Sequence, residues 1–275
     1  MTGFAREALL HWISVGLYVA ATAAFANAVL FVQPRRTRWG VLAAGLGLLP
    51  HGAAIVLRWI SSGHGPYMLR YEVLSSNAFI AVVALLLFLW RRPGWAALAL
   101  VVLPAAVLMI GTGLFSNPEI RQLPPTLRST WLVFHISFAK LAAASFLLST
   151  ASAVFLLMKE RKHRAPWLAR LPSAEALDAY VVRFVGFGFL FWTMAVAAGA
   201  IWAHQSWGRY WGWDPIETWS LISLLVYGTF LHLRTFFHLK AAAIAWLSIA
   251  CFAIFTLTAM LLPFLMPSLH SAYFQ

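Results

Sequence analysis

Residues 181–219 read VVRFVGFGFLFWTMAVAAGAIW (181–202) followed by AHQSWGRYWGWDPIETW (203–219). The first part is an apolar run of the length, about 20 residues, that crosses a lipid bilayer as a helix. The second part is a short polar gap before the next apolar run. Five tryptophans fall within residues 202–219: Trp202, Trp207, Trp211, Trp213 and Trp219. Packing alone does not require such a density, so this segment is the main candidate for a functional site.

The composition of the whole chain indicates a membrane protein. Of its 275 residues 62% are hydrophobic and 10% charged, whereas soluble domains carry about 25% charged residues. Apolar runs near the required length occur at about 9–32, 39–60, 73–90, 95–115, 131–158, 181–202, 216–236 and 241–262. Runs of this kind indicate helices, because helices satisfy their own backbone hydrogen bonds in lipid. The sequence predicts an all-α, polytopic bundle of about eight transmembrane helices, forming one domain over residues 1–275.

Lys and Arg are distributed unevenly between the loops on the two sides of this bundle. One side carries Arg35, Arg36, Arg38, Arg91, Arg92, Lys159, Arg161, Lys162, Arg164, Arg170, Arg183, Arg234 and Lys240, and the other carries Arg6, Arg58, Arg70, Arg121, Arg128 and Arg209. Because cytoplasmic loops hold the excess of basic residues, both termini and the tryptophan-rich loop, about residues 203–217, are predicted on the outer side. The net charge of +12 therefore reflects topology, and no nucleic acid is expected as a partner.

The tryptophan-rich loop has two interpretations. Trp and Tyr collect at membrane interfaces as aromatic belts, which accounts for two or three of the five tryptophans. Gly208, Gly212 and the Asp-Pro turn instead indicate a shaped loop, and flat aromatic side chains beside Arg209 suit a large, flat, amphipathic ligand. The residues alone leave both interpretations open.

Two histidines lie on the predicted outer side, one on each side of this loop in the sequence. His135 lies in WLVFHISF near the start of the fifth run, and His270 lies in the tail, in SLHSAYF. Two neutral imidazoles facing each other across a slot can serve as the axial pair of a haem iron. The tryptophans would then pack on the porphyrin and Arg209 could pair with a propionate. Taken singly, each histidine is equally well explained as an ordinary interfacial residue.

Two further histidines lie within apolar runs. His232 lies about 22 Å from Glu217 along the seventh helix, at ~1.5 Å per residue, toward the cytoplasmic end, and His51 lies near the middle of the second run. An ionisable residue inside a span is a functional hypothesis, although His232 also lies close enough to the interface to be solvated. Asp214 and Glu217 belong to a DPIET string typical of a helix start, with Pro215 in the first turn.

Several segments together resemble a known family, the CcsA (ResC) proteins of system II cytochrome c biogenesis. WGRYWGWDPIETW (207–219) resembles their tryptophan-rich WWD motif, and RWISSGHGPYMLRYEVLSSNAF (58–79) is similar to their GHxP…YESL stretch. WLVFHIS (131–137), FLHLR (230–234) and SLHSAYF (268–274) resemble the family's WLxxHV, YLHxR and GLHSYG. Ile216 stands where a Lys is common, Val73 departs from YESL, and the tail lacks the usual glycines.

The resemblance implies a set of site residues. His135 and His270 match the family's two external haem ligands, and His232 matches its intramembrane histidine, which holds haem before that outer site. Trp207, Trp211, Trp213 and Asp214 match the WWD core. The implied function is delivery of haem b to the outer face and its presentation to the CxxCH motif of an apocytochrome c. Two thioether bonds would form there, so the chain is expected to be part of a cytochrome c synthase that acts by positioning haem.

The resemblance also implies partners and a location. A separate CcsB (ResB)-like membrane protein, apocytochrome c and the thiol-reducing proteins of the pathway are expected partners, and the location is a bacterial plasma membrane rather than a thylakoid. Alternatives are a haem chaperone without ligation chemistry, as in the CcmC branch, or a HemX-like membrane regulator. A transporter for another aromatic solute is a further alternative. Haem absorbance of the purified protein separates the haem-handling classes from the others.

Overall fold

A computed structural model describes residues 3–31, 33–117, 119–120, 122–160, 165–266 and 268–269. Within these residues every regular element is a helix, and eight helices are long and apolar enough to cross a membrane. The predictions of an all-α fold and of about eight spans are therefore confirmed. The side of the membrane on which each terminus lies stays a prediction, and His270 lies outside the described residues.

The helices form two compact units. The first contains α1 (Gly3–Leu30), α2 (Thr37–Ser62), α3 (Arg70–Arg91) and α4 (Ala99–Leu114), the last preceded by a 3-10 segment, Pro93–Leu98. The second contains α5 (Thr130–Glu160), α6 (Ala174–Trp207), α7 (Pro215–Phe236) and α8 (Ala241–Thr256), followed by a π-helical segment, Leu257–Leu261, and the short α9 (Leu262–Leu265). That all eight spans serve one haem-handling domain stays a prediction.

Small residues allow α1 and α2 to pack closely in the first unit. Gly47 of α2 faces the ring of Tyr18, where an added Cβ would lie 2.6 Å from Cε1 of that ring. Gly40 faces Phe25 in the same way, with the added Cβ 2.8 Å from the ring. Both aromatic side chains are completely buried. Each glycine therefore makes room for one ring, the arrangement by which small residues promote helix association in lipid.

In the second unit α5 packs against both α6 and α8. Gly188 of α6 accommodates the Phe146 ring of α5, because an added Cβ would lie 2.3 Å from Phe146 Cε1. The same ring stacks on Tyr227 of α7, with centroids 3.6 Å apart, and meets the edge of Phe255 of α8 at 5.0 Å. One aromatic residue thus joins four helices, α5 to α8.

Candidate functional site

The tryptophan-rich loop is shorter than predicted. Helix α6 continues through residues 203–207, and α7 already begins at Pro215, so that only residues 208–214 connect them. Gly208 ends α6 with a φ of +74° while its amide bonds the His204 carbonyl at 2.9 Å. Glycine populates this left-handed conformation without steric cost, which is why it commonly follows a helix. The predicted bounds of 203–217 are therefore corrected to 208–214.

Two carboxylates organise this loop from its far end. Asp214 is the N-cap of α7: its Oδ1 accepts the Ile216 N–H at 2.9 Å, and Pro215 occupies the first turn. Glu217 completes the capping box, because its Oε2 accepts the amides of Gly212 at 2.7 Å and Asp214 at 3.2 Å. Both carboxylates are buried. The predicted helix start is confirmed, and N–H groups that would otherwise lack partners are satisfied.

Arg209 lies against the same carboxylate. Its Nη1 is 3.4 Å from Glu217 Oε1, and its side chain is 34% exposed. Gly212 makes this placement possible, since an added Cβ would lie only 1.2 Å from Arg209 Nη1. The guanidinium is therefore held at the rim of the loop with one side open to solvent. Its pairing with a haem propionate stays a prediction, and any propionate bound there would share the guanidinium with Glu217.

The tryptophans divide into buried and exposed ones. Trp202 is 3% exposed, donates its indole N–H to the Thr126 carbonyl at 2.8 Å and meets Trp207 edge-on at 4.9 Å. Trp213 is 70% exposed and meets Trp211 at 5.9 Å with the ring planes at 89°. Packing in the protein interior is enough to explain the presence of Trp202. Burial does not explain Trp213, which presents a large apolar ring outward.

Trp213 also has a strained backbone. Its φ is +58°, a region that few residues other than glycine adopt and that is especially unfavourable for bulky side chains. Such conformations cost about 1–3 kcal/mol and persist where the surrounding structure imposes them, often at functional sites. The hydrogen bond between the next residue, Asp214, and Glu217 contributes to imposing it. An exposed tryptophan held in a strained conformation supports a ligand-binding interpretation of the loop over a simple aromatic belt.

His135 lies near the start of α5, and its half-buried ring packs beside the same aromatic cluster. Its ring is nearly parallel to that of Trp202, with centroids 6.4 Å apart, and its Nδ1 is 2.7 Å from the Ala195 carbonyl of α6. A carbonyl only accepts, so Nδ1 carries the proton and donates it, and Nε2 carries the lone pair. Gly199 permits the approach, since an added Cβ would lie 2.7 Å from Nδ1.

The C-terminal tail is connected to the loop through Asp214. The second carboxylate oxygen, Oδ2, accepts the Leu269 N–H at 2.9 Å. Asp214 therefore caps α7 with one oxygen and holds the tail backbone with the other. The residue that follows Leu269 in the sequence is His270, the predicted second ligand, which lies outside the described residues.

His232 is not brought to this loop. It lies near the opposite end of α7, where its exposed ring contacts Phe236 at 4.7 Å and Phe237 at 5.8 Å between centroids. Two residues further, Arg234 pairs with Asp178 of α6. The structure thus separates His232 from Glu217 by almost the length of α7, as predicted. Its role as an intramembrane ligand stays a prediction.

Sequence reasoning missed two kinds of residue. Thr126 and Ala195 act through backbone carbonyls, which have no signature in the sequence. The distribution of basic residues predicts Arg58 in an outer loop, but Arg58 lies inside α2, is 2% exposed and donates to Glu72 Oε1 at 2.9 Å. A usable signal existed, because an arginine within an apolar run requires a buried partner. Without Arg58, the predicted cytoplasmic side still carries more basic residues than the predicted outer side.

Comparison with known proteins adds to this geometry. The family described as Cytochrome C assembly protein matches residues 39–270. A protein of Parasynechococcus marenigrum (strain WH8102), called cytochrome c biogenesis protein CcsA, is 33% identical over 211 residues, 66% of this chain and 68% of that protein. A protein of the same name from Chlamydomonas reinhardtii is 34% identical over 191 residues, 66% of this chain and 53% of that protein.

One solved structure is similar over almost the whole chain. The structure of a cytochrome c haem lyase, CcmF, matches 95% of this chain with a TM-score of 0.74, and the chain spans 47% of that protein. The sequence identity is 17%, so this likeness concerns the fold alone. The same fold therefore also occurs within a longer chain.

Proposed function

The chain belongs to the cytochrome c assembly protein family, and we propose that it holds haem at the tryptophan loop and presents it to apocytochrome c. It is a multi-pass membrane protein with a role in c-type cytochrome maturation. The proposed ligand is haem b, coordinated by His135 and His270. The proposed location is a bacterial plasma membrane, with the tryptophan loop on its outer side.

The 2.7 Å contact between His135 Nδ1 and the Ala195 carbonyl is the single observation that carries this proposal. The His135 Nδ1–H donates to the Ala195 carbonyl, which leaves Nε2 with the lone pair that an iron ligand requires. Metal-ligating histidines typically donate their other ring N–H to a carbonyl or carboxylate, which fixes the ring and raises its basicity. The Trp202 ring lies nearly parallel to the imidazole, with centroids 6.4 Å apart. His135 is thus preorganised as an axial ligand.

Asp214 supports a role for the tail in the same site. It holds the Leu269 amide at the loop, so the backbone just before His270 is attached to the segment that carries Trp211 and Trp213. His135 of α5 and His270 of the tail are the proposed pair of imidazole ligands. This ligand pair agrees with the residues that the family resemblance indicates.

The exposed aromatic residues provide the apolar surface that a porphyrin needs. Trp213 is mostly exposed and meets Trp211 edge-on, so the pair can cover a flat ring and exclude water from it. Arg209 at the rim can pair with a propionate, which would orient the macrocycle and direct its vinyl groups away from the rim. His232 would hold haem earlier on its path, near the opposite end of α7.

Ligation adds two cysteine thiols of a CxxCH motif across the two vinyl groups, forming two C–S bonds. The residues of this chain contribute mainly by positioning, which converts an encounter between two large molecules into an oriented reaction. The proposed partners are a CcsB (ResB)-like membrane protein, apocytochrome c and proteins that keep the cysteines reduced. The relatives from cyanobacteria and a green alga leave a thylakoid location as the second possibility.

The proposal is tested by the absorption spectrum of the protein purified from haem-replete membranes. We expect a low-spin bis-histidine spectrum that is lost or altered in His135→Ala and in His270→Ala. His238→Asn is the matched control, because His238 is exposed between α7 and α8 with a φ of +49°, which Asn tolerates.

Two results would count against the proposal. A protein that remains colourless even when purified with its partner chain would favour an aromatic belt or a scaffold. A haem spectrum that survives both ligand substitutions would place the haem elsewhere. Loss of haem in His232→Ala as well would support two successive binding positions.

A further inference from the structure

The first unit contains a continuous chain of buried polar side chains that the proposed haem site does not use. Its members come from three helices and none is more than 3% exposed: Glu7, His11 and Tyr18 of α1, His51 and Arg58 of α2, and Tyr71, Glu72 and Ser75 of α3. Each lies on the buried face of its helix, and within one helix successive members are one, three, four or seven residues apart. Ionisable groups inside a membrane span are costly, and those present commonly carry ions or protons.

One end of the chain is an ion cluster. Arg58 Nε donates to Glu72 Oε1 at 2.9 Å, and Arg58 Nη1 is 3.8 Å from Glu7 Oε2. Glu72 Oε2 also accepts the amides of Met68 at 3.0 Å and Leu69 at 3.2 Å, in the loop before α3. Two buried carboxylates therefore face one guanidinium. The second carboxylate, Glu7, is the one that contacts the rest of the chain.

The direction of the hydrogen bonds follows from a single backbone carbonyl. His11 Nδ1 is 2.9 Å from the Glu7 carbonyl, and because a carbonyl only accepts, Nδ1 carries the proton. His11 Nε2 then has the lone pair, so it accepts from the Ser75 hydroxyl at 2.8 Å. The tautomer of His11 and the orientation of the Ser75 proton are thereby determined.

The same reasoning extends to the far end. Ser75 has used its only proton, so it accepts from His51 Nε2–H at 3.1 Å. His51 Nδ1 then has the lone pair and accepts from the Tyr18 hydroxyl at 3.0 Å. Every donor from Tyr18 to His11 thus points toward the ion cluster.

Tyr71 connects His11 with the carboxylate of Glu7. Its hydroxyl oxygen is 3.1 Å from His11 Nδ1, and its proton is donated to Glu7 Oε2 at 3.4 Å. The chain is therefore unbroken from Tyr18 to the carboxylate of Glu7. Along α1 these two residues are separated by about 16 Å, at ~1.5 Å per residue, which is roughly half of the ~30 Å hydrocarbon thickness.

We propose that α1, α2 and α3 form a proton-transfer chain that connects the ion cluster near the start of α1 with His51 and Tyr18 in the middle of the membrane. His51 is the group that takes up and releases the proton, and the Glu7 carboxylate is its exchange partner. The proposal concerns a different unit and a different ligand from the haem site. It goes beyond the proposed function and does not depend on it.

The transfer can be written atom by atom from a doubly protonated His51. The His51 Nε2 proton passes to Ser75 Oγ, and the Ser75 proton passes to His11 Nε2. The His11 Nδ1 proton then passes to Tyr71 Oη, and the Tyr71 proton passes to Glu7 Oε2. Only N–H and O–H bonds change. His51 becomes neutral, Glu7 becomes a neutral carboxyl group, and every group between them keeps its charge.

Other charged groups near the cluster affect this exchange. On the same side, His64 Nδ1 lies 4.0 Å from Glu72 Oε2, and Arg58 Nη2 bonds the Glu119 carbonyl at 3.4 Å. Helix α4, which packs on α1 and α3, carries no titratable side chain, and Arg170 lies in a short 3-10 segment that also packs on α1.

The experiment measures proton exchange at single histidines in the haem-free protein. The chain is labelled with ¹⁵N-histidine and placed in lipid bilayers for solid-state NMR, and signals are assigned with His11→Gln and His51→Gln. We expect the Nδ1–H tautomer for His11 and the Nε2–H tautomer for His51. After transfer to D₂O, both ring N–H groups should exchange on a similar timescale, although His51 is completely buried.

Two substitutions test whether the groups act in series. Ser75→Ala should slow exchange at His51 by at least about tenfold relative to the wild type, because only exchange through local opening of the helices then remains. Exchange at His11 should be unchanged. Tyr71→Phe should slow exchange at both histidines, because it interrupts the chain between Glu7 and His11. Ser14→Ala is the matched control, since Ser14 is equally buried but donates only to the Leu10 carbonyl of its own helix.

The outcomes separate a proton chain from a static polar core. Wild-type His51 that does not exchange, or that exchanges equally fast in Ser75→Ala, would overturn the proposal. Equal slowing of both histidines in Ser75→Ala would also overturn it, because the order of the groups would be wrong. If Ser75→Ala disturbs the fold, Tyr71→Phe decides between the two cases, and unchanged exchange at both histidines in that variant would overturn the proposal. Ser75→Thr, which keeps the hydroxyl, should leave exchange at His51 as in the wild type.

Discussion

Asp214 Oδ2 accepts the amide of Leu269 at 2.9 Å, although the two residues are 55 positions apart in the sequence. The other oxygen of the same carboxylate caps α7. One side chain therefore determines both where α7 begins and where the tail lies. Neither the tryptophan loop nor the C-terminal tail indicates this double role by its own sequence.

Asp214→Asn should separate the two roles. The amide oxygen of Asn can still cap α7, but its NH₂ group cannot accept the Leu269 N–H. We expect faster deuterium exchange at the tail amides of the haem-free protein, with little change at the start of α7. Where haem is bound, added imidazole should restore the low-spin spectrum by replacing the displaced ligand. Asp178→Asn, at a buried aspartate that pairs with Arg234, is the control. Unchanged tail exchange in Asp214→Asn would refute the double role.

Gly212→Ala should displace Arg209 without unfolding the protein. The added Cβ would overlap Arg209 Nη1, which is the end of a flexible and partly exposed side chain that can move away. We expect a stability change within about 1 kcal/mol, as is usual for surface changes, together with weaker haem retention. Gly186→Ala on α6 is the control, because no atom lies within 4 Å of its added Cβ. Equal haem retention in both variants would argue against a role of Arg209 in binding.

Trp202 and Trp213 should respond in opposite ways to truncation. Trp202→Ala removes a buried ring and a hydrogen bond, and we expect a loss of about 3–5 kcal/mol of unfolding free energy. Trp213→Ala removes a mostly exposed ring, and we expect a stability change of about 0.5 kcal/mol or less but a marked loss of bound haem. Thermal unfolding and the haem-to-protein absorbance ratio measure the two effects. A large stability loss in Trp213→Ala would favour a structural role.

Gly199→Ala should disturb His135 indirectly. Its added Cβ would lie 2.7 Å from His135 Nδ1, so the ring must move away from the Ala195 carbonyl. We expect altered axial ligation, visible as a high-spin component in the haem spectrum, while the protein remains folded. Gly228→Ala on α7 is the control, because its added Cβ would make only ordinary contacts with Phe189, the nearest at 3.6 Å. A spectrum identical to that of the wild type would contradict the preorganisation of His135.

The sequence predicted the main elements well, because the signals for them are local. Apolar runs of spanning length identified the eight helices, and the DPIET string identified the start of α7. The prediction was less accurate at the loop, where α6 extends to Trp207. Hydropathy ended the run at Trp202 because polar residues follow, but those residues continue the helix beyond the apolar run.

The sequence by itself determined which residues enter the membrane, since burial of apolar surface depends on the composition of each run. It also identified the tryptophan motif and three histidines by their resemblance to a family. Only the tertiary structure decided that Trp202 is buried while Trp213 is exposed, and that His135 donates to Ala195. It alone revealed that Glu7, Arg58 and Glu72 meet. The physical reason is that these hydrogen bonds join atoms that are distant in the sequence. Every residue has a backbone carbonyl, so the sequence does not show which carbonyl accepts a given hydrogen bond.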